Sequence, residues 1–241
     1  MNKNREKPIA KKERPYVSIQ SLYRMPYYLH YLKEAKKKGI EVIPATTIAA
    51  DLKLNEVQVR KDLSAICTTK GKPKTGFIVD ELIKNMEDFL GYNNAKDAVL
   101  VGAGSLGRAL LSYSGFESYG LNIVVAFDND KEKIGTKING KEVLSVAEIE
   151  NVCRRLNIHI GIITVPAQHA QEVCNKLIAS GILAIWNFAP VHLSTPEGIL
   201  VRNENMAASL AILSHHLQEK LCNSKKDLSN NRKDRKDRKD T

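Results

Sequence analysis

The sequence predicts an α/β protein in three parts: an amino-terminal winged helix-turn-helix, a Rossmann-type doubly wound parallel sheet, and a carboxy-terminal helix. Three observations carry this. The apolar run Val99-Leu100-Val101 meets glycines spaced G-x-G-x-x-G at Gly102, Gly104 and Gly107, then continues at helical spacing through Leu106, Leu110 and Leu111. Apolar strands and amphipathic helices then alternate as far as Val201, the pattern of a parallel sheet covered on both faces. Ahead of them stand two short helices joined by a three-residue turn, the second rich in Arg, Lys and Gln. That is a helix-turn-helix pattern, although any three-helix bundle can show it.

Composition narrows the classes. The 241 residues suffice for one large domain or two modest ones. The formal charge of +10 sits at the two ends: residues 1–90 hold 18 Lys/Arg against 11 Asp/Glu, residues 91–222 hold 11 against 12, and residues 223–241 hold 8 against 4. A basic amino-terminal half points to a polyanion partner, nucleic acid first; the other reading is a solvated basic surface. Cys67, Cys153, Cys174 and Cys222 show neither C-x-x-C spacing nor a His cluster. No metal is therefore expected, and the thiols read as buried in a reducing cytosol. The charged start, Met1 to Pro15, does not read as a signal peptide, and no run approaches the ~18 apolar residues of a membrane span. The expectation is a cytoplasmic protein.

In chain order, residues 1–17 form a basic, flexible arm. A first helix is expected from Ser21 to Lys38, with Tyr28, Leu29, Leu32 and Ala35 inward, Pro26 in its first turns or at a kink, and Gly39 as its stop. A short second helix follows Pro44, capped by Thr46 or Thr47, with Ile48, Ala49 and Leu52 inward. After the turn Lys53-Leu54-Asn55, a third helix spans Glu56 to Ile66. It buries Val57, Val59, Leu63 and Ile66 and turns Gln58, Arg60 and Lys61 outward. Lys70 to Phe77 reads as a basic β-turn, a wing, and Val79 to Leu90 as a linker helix stopped by Gly91.

The sheet begins near Ala98, and the helix after the glycines ends near Gly115-Phe116. A strand Ile123–Phe127 ends on Asp128; a helix Val146–Leu156 follows Val143, with Ser145 as its cap. Further strands are expected at His159–Pro166, Leu183–Phe188 and Gly198–Val201, with a helix from Ala167 to Ser180 stopped by Gly181. A final helix, Met206–Leu221, lines Leu210, Leu213, Leu217 and Leu221 on one face, which must bury against something. Asn223 to Thr241 reads as a disordered charged tail.

The chemistry concentrates at the first strand–helix junction. Gly102 allows a tight turn, Gly104 lets a pyrophosphate approach the backbone, and Gly107 lets helix and strand pack closely. Asp128, at the tip of the next strand, can hold the two ribose hydroxyls of NAD and would repel the phosphate of NADP. The other reading is a Rossmann-like domain with an empty or different site. Lys133 can reach a cofactor, whereas Lys131 fits a solvated turn. Tyr113 reads either as a switch residue near a nicotinamide or as core, and Trp186 as core. His215 and His216 are neighbours on a helix and diverge by about 100°, which disfavours joint metal ligation.

Taken together, the motifs resemble the Rex family of bacterial redox-sensing transcriptional repressors. The resemblance covers roughly Ser21 to Leu217. It rests on Arg24-Met25-Pro26-x-Tyr28, Gln58-Val59-Arg60-Lys61-Asp62-Leu63, the glycine loop, Tyr113-Ser114-Gly115-Phe116, Ala126-Phe127-Asp128-x-Asp130 with Lys133-Ile134-Gly135, Thr164-Val165-Pro166 followed by Ala170-Gln171, and Asn187-Phe188-Ala189-Pro190.

The resemblance implies a homodimer with a carboxy-terminal helix swapped onto the partner, binding a palindromic double-stranded operator when NAD⁺ predominates and releasing it when NADH accumulates. It assigns Arg60 and Lys61 to DNA; Gln58 on the same helix and the wing lysines Lys70, Lys72 and Lys74 are the further DNA-binding candidates. It assigns the glycine loop, Gly102, Ala103, Gly104, Ser105, Leu106 and Gly107, to the pyrophosphate, Asp128 to the adenosine ribose, and Thr164, Val165 and Pro166 to the nicotinamide side; Lys133, Tyr113 and Asn187 complete the candidate cofactor-binding residues. The implied divisions are a winged-helix domain at 18–90 (helix-turn-helix about 25–64), an NAD(H)-binding domain at 91–204, and a swapped helix at 205–222.

The sequence departs from the family in three places. The wing, Ile66 to Phe77, is longer and richer in lysine than the glycine-rich family form, His30 stands where the family has arginine, and Asn205 where it has aspartate. The last two family positions belong to a charge network coupling nicotinamide state to the DNA-binding domain. A paralogue with a weak or altered response, for instance to a CoA derivative, is the first alternative. An NAD-dependent dehydrogenase is the second, and it lacks room for a substrate domain.

Overall fold

The computed structural model describes residues 17–67, 76–92 and 96–237, with side chains as far as Leu221. The chain divides into two compact units, Met1–Ala95 and Lys96–Thr241. The basic arm up to Tyr16 and the wing lysines Lys70, Lys72 and Lys74 lie outside the described residues.

In the first unit, α1 (Ile19–Lys37) starts earlier than expected because Ser18 caps it, its hydroxyl accepting from Ser21 N at 3.2 Å. Pro26 lies inside α1, and Gly39 ends it at φ +77°. Met25, Tyr28, Leu29 and Leu32 are buried there. They meet Ile48 of α2 (Ala45–Asp51), Leu63 of α3 (Glu56–Ile66), and Leu82 and Met86 of α4 (Val79–Leu90). Each large side chain buried this way contributes ~1.5–3 kcal/mol.

Two expectations are corrected here, and one element is added. Neither Thr46 nor Thr47 caps α2: both lie inside it, and the Pro44 carbonyl accepts from Thr47 N at 3.2 Å and Ile48 N at 3.4 Å. Val57 is 60% exposed, because the second residue of α3 faces away from the three-helix core. A small antiparallel sheet, β1 (Val42–Ile43) on β2 (Phe77–Ile78), adds to the expected elements. Gly76 fits there at φ +93°, where a Cβ would lie 2.7 Å from the Ile43 carbonyl oxygen.

The second unit is built on β3 (Lys96–Val101), β4 (Leu121–Asp128), β5 (Lys137–Ile138), β6 (Lys141–Ser145), β7 (Ile160–Ile163), β8 (Ala184–Asn187) and β9 (Leu200–Asn203). Their order is β5-β6-β4-β3-β7-β8-β9, all parallel except the edge strand β5. Without β5 this is the 3-2-1-4-5-6 order of dinucleotide-binding sheets, with its crevice where the winding reverses between β3 and β7. Alternate residues of β3 serve the two faces. Val99 and Val101 pack with Phe127 and Ile163 under α7 (Ile149–Arg155) and α8 (Ala167–Ala179). Ala98 and Leu100 pack with Ala126 and Ile162 under Leu111 of α5 (Ser105–Ser112).

Here too the elements differ in detail from expectation. The helix after the glycines breaks at Tyr113-Ser114 and resumes for one turn as α6 (Gly115–Ser118). The β5–β6 hairpin is a further addition. Ser145 does cap the next helix, accepting from Ala147 N at 3.3 Å, but the first turn, Val146–Glu148, is 3-10. Trp186 is partly buried, its indole N–H donating to Glu204 at 3.1 Å. The last helix, α9, runs Met206–Asp237, well past Leu221. The disorder expected from Asn223 is therefore replaced by helix as far as Asp237, in a stretch with no Gly or Pro to stop it. Among the described residues no helix is long and apolar enough to cross a membrane.

Candidate nucleotide cleft and nucleic-acid interface

The glycine loop divides its labour physically. Gly102 has φ +104°, and a Cβ there would meet the Thr164 backbone at 2.9 Å. A Cβ on Gly107 would lie 2.0 Å from the Gly102 carbonyl oxygen, so only glycine lets α5 sit this close to β3. Gly104 has nothing within 4 Å of its Cβ position. It is the one glycine of the three that leaves room for a ligand. The first backbone donor inside α5 is Arg108 N, bonded to Gly104 O at 2.9 Å. The amides of Ser105, Leu106 and Gly107 thus precede the intrahelical ladder, at the positive end of the helix.

Ala103 N is spent within the chain, donating to Asp128 Oδ2 at 2.8 Å. This bond ties the loop to the tip of β4. Asp128 is buried; its Oδ1 accepts from Asp130 N at 2.9 Å, and Lys133 Nζ lies 3.3 Å from both Asp128 Oδ2 and Asp130 Oδ2. The Lys133 ammonium loses hydration there, yet the two carboxylates outweigh that and raise its pKa. Asp130 is held below the usual carboxylate range by the Glu132 amide and by Lys133. Two carboxylates around one ammonium keep a net negative charge beside the strand tip, and Asp128 Oδ1 retains an acceptor site for a hydroxyl.

These groups line a cleft of about 660 Å³. Of the predicted residues it gathers Gly102, Gly104, Asp128, Lys133, Thr164, Val165 and Pro166. Thr164 Oγ1 donates to the Val101 and Gly102 carbonyls at 3.0 and 2.8 Å, locking the end of β7 to the glycine turn. The cleft's size, the space at Gly104 and the Asp128 carboxylate fit a dinucleotide.

Six predicted residues do not line the cleft: Ala103, Ser105, Leu106 and Gly107 belong to the loop and the first turn of α5, and Asn187 and Tyr113 stand elsewhere. Asn187 is fully buried and its amide is used internally: Nδ2 donates to the carbonyls of Ala189 and Val191 and to Asn203 Oδ1, and Oδ1 accepts from Ala189 N. It shapes the turn after β8 and does not line the cleft. Tyr113 is 52% exposed, so it is not core; its ring lies edge-on to Phe116 at 4.9 Å and covers Gly115, where a Cβ would come within 2.4 Å. Sequence reasoning missed His169, Glu172 and Lys176, which reach the cleft from α8. Their spacing of three and four on one helix face was the available signal.

On the first unit, Gln58, Arg60 and Lys61 are exposed on α3, as anticipated. Arg60 pairs with Glu56 one turn earlier. Asn55 caps α3, accepting from Val57 N at 3.0 Å and Gln58 N at 3.3 Å. Asp62 is buried and accepts from Arg24 Nε at 2.8 Å, Arg24 Nη2 at 3.1 Å, Ser21 Oγ at 2.7 Å and Tyr28 Oη at 2.9 Å. Burial opposes its charge, but these bonds hold its pKa below the usual carboxylate range. Burial and the bond to Asp62 push Tyr28 up to about 12. This network gives Arg24, Tyr28 and Asp62 a shared packing role between α1 and α3 that the sequence alone did not reveal.

Residues 16–64 match a family model described as "Putative DNA-binding protein N-terminus", and residues 93–191 one described as "CoA binding domain". The redox-sensing transcriptional repressor Rex of Treponema denticola is 42% identical over 205 residues, 85% of this chain and 96% of that protein. The crystal structure of RSP in complex with β-NAD⁺ and operator DNA superposes with a TM-score of 0.81 at 32% identity, covering 87% of this chain and 96% of that one. The complex of RSP with β-NADH gives 0.76 at 32% identity, covering 87% and 98%. The matched relatives are transcriptional repressors, so the chain is not an enzyme and the dehydrogenase alternative falls.

Proposed function

Because the chain belongs to the Rex family of redox-sensing transcriptional repressors, we propose that it represses transcription in the cytoplasm in response to the NADH/NAD⁺ ratio. A homodimer holds a palindromic operator with NAD⁺ bound and leaves it with NADH. The observation that carries this reading is the cleft: an open Gly104 at the head of α5, facing a buried Asp128 at the tip of the neighbouring strand. Gly102, Gly104, Ser105, Leu106 and Gly107 hold the pyrophosphate, Asp128 and Lys133 the adenosine ribose, and Thr164, Val165 and Pro166 the nicotinamide side; Ala103 braces Asp128. Gln58, Arg60 and Lys61 meet the duplex, with Lys70, Lys72 and Lys74 of the wing. Leu210, Leu213, Leu217 and Leu221 of α9 are 55–66% exposed, an apolar stripe that a partner subunit covers in the dimer.

One observation favours a second reading, a member of the family with weakened coupling. Asn205 Oδ1 accepts from Ala208 N at 2.9 Å, so this side chain caps α9 and brings no charge there, while His30 is exposed. Calorimetric titration with NADH, NAD⁺ and CoA tests the ligand assignment. NADH and NAD⁺ bind and CoA does not; tight CoA binding with no NADH binding overturns it.

A further inference from the structure

The network around Asp62 reaches the exposed face of α3, and its role there rests on the DNA-binding function proposed for that helix. Asp62 accepts four hydrogen bonds, two of them from Arg24, which fills the capacity of a carboxylate. The guanidinium is thereby fixed by a bidentate pair. Its remaining edge faces Gln58. With the amide oxygen turned to Arg24, Gln58 Oε1 accepts from Nη2 at 3.0 Å and Nη1 at 3.2 Å; the opposite orientation would set amide N–H groups against guanidinium donors. Gln58 and Lys61 line one groove with Val17, Ser18 and Asn55. Gln58 is thus an exposed residue tethered by its amide oxygen.

We propose that Arg24 is a positioning residue for base recognition: anchored by Asp62, it holds the Gln58 carbonyl, so that Gln58 presents donors alone to the duplex. A free glutamine pairs in two-point fashion with adenine, accepting from N6 and donating to N7. With its oxygen engaged by two guanidinium N–H groups, Gln58 favours a base edge that only accepts: guanine through O6 or N7, or thymine through O4.

The test uses the full chain with saturating NAD⁺ and a pool of duplexes with a randomised core, sequenced before and after binding. Gln58→Ala should flatten preference at one position of each half-site and leave the others. Arg24→Lys keeps a cation against Asp62 without the planar fork; it should admit adenine at that same position, changing the ratio of adenine to guanine or thymine about tenfold. Gln58→Glu, at an exposed position that leaves the buried pair intact, presents acceptors and should move preference to cytosine, whose N4 donates. The proposal is overturned if wild type selects adenine at the Gln58 position, if Gln58→Glu leaves the preference as it was, or if Arg24→Lys weakens all sequences alike. A wild type that selects no sequence at all overturns the DNA-reading assignment itself. That result differs from an intact preference which Arg24 does not influence.

Discussion

Replacing Gly104 and Gly107 one at a time by alanine separates what the glycine loop does for the fold from what it does for a ligand. At Gly107 the new methyl would lie 2.0 Å from the Gly102 carbonyl oxygen and 3.1 Å from Thr164 Oγ1. An ordinary carbon–oxygen contact needs about 3.3 Å, so helix and strand must part by about 1.3 Å. Overpacking of this kind costs ~1–3 kcal/mol or more, and with backbone on one side the upper figure applies. At ~2–4 °C per kcal/mol for a unit of this size, the unfolding midpoint falls by roughly 10 °C. At Gly104 the methyl meets nothing within 4 Å, and φ −76° suits any L-residue. Stability should hold or rise by ~0.4–1 kcal/mol. That methyl does, however, fill the space through which a pyrophosphate would reach the helix amides. Losing one charge-assisted bond of ~1.5–3 kcal/mol weakens NADH binding about 10- to 100-fold. The assay is thermal unfolding with and without NADH, plus calorimetry. A Gly104→Ala protein that is stable and binds NADH as wild type does would refute the assignment of the phosphate path. A Gly107→Ala protein as stable as wild type would refute the packing argument.

NADH should bind at least tenfold better than NADPH, because a 2′-phosphate meets the net negative charge of Asp128, Asp130 and Lys133, and Asp128→Ala should narrow that gap; equal affinities for both nucleotides in wild type would remove Asp128 from the site. Asp62→Asn leaves Arg24 without its charge partner and should destabilise the first unit by roughly 3 kcal/mol. Because the folded pKa of Asp62 is lowered, its contribution is present above about pH 4 and lost as pH falls further, so acid unfolding monitored in that unit should shift upward in pH for the variant; coincident acid transitions would argue against it. Arg60→Ala should relax sequence preference on duplexes, while Lys72→Ala or Lys74→Ala weakens operator and random DNA alike and flattens the salt dependence by ~0.9 per phosphate contact; equal losses on both duplexes for Arg60→Ala would deny it a base contact.

Legibility in the sequence depends on how directly a residue's chemistry fixes its surroundings. The three glycines and Asp128 are legible because G-x-G-x-x-G after one strand and an acid at the tip of the next form a fixed pattern that can be read without knowing the tertiary contacts. The buried strands are legible because β3, covered on both faces, is apolar throughout Ala98–Val101. The β5–β6 hairpin carries a signal of its own in Asn139-Gly140, whose φ values of +48° and +77° suit a tight hairpin turn. Burial of Asp62 is not legible, since a carboxylate in a run with Arg60 and Lys61 reads as solvated helix face. Only the approach of Arg24, Ser21 and Tyr28 from α1 makes it inward-facing. Asn187 misleads for the opposite reason: a polar residue at a strand tip suggests a ligand contact, and here its amide bonds the turn that follows and Asn203 of β9.

The proposed coupling of nicotinamide state to operator binding is a difference in affinity between two liganded states. Asn205 carries no charge, and neutral hydrogen bonds are about half as strong as charge-assisted ones. The effect should therefore sit near the low end of the usual 1–3 kcal/mol range. The decisive measurement is the Kd for operator duplex at saturating NAD⁺ and at saturating NADH, for wild type and for Asn205→Asp combined with His30→Arg. NADH should weaken wild-type operator binding by about fivefold, and the double substitution should widen the gap. An operator Kd that is the same with either nucleotide, in both proteins, would contradict the coupling.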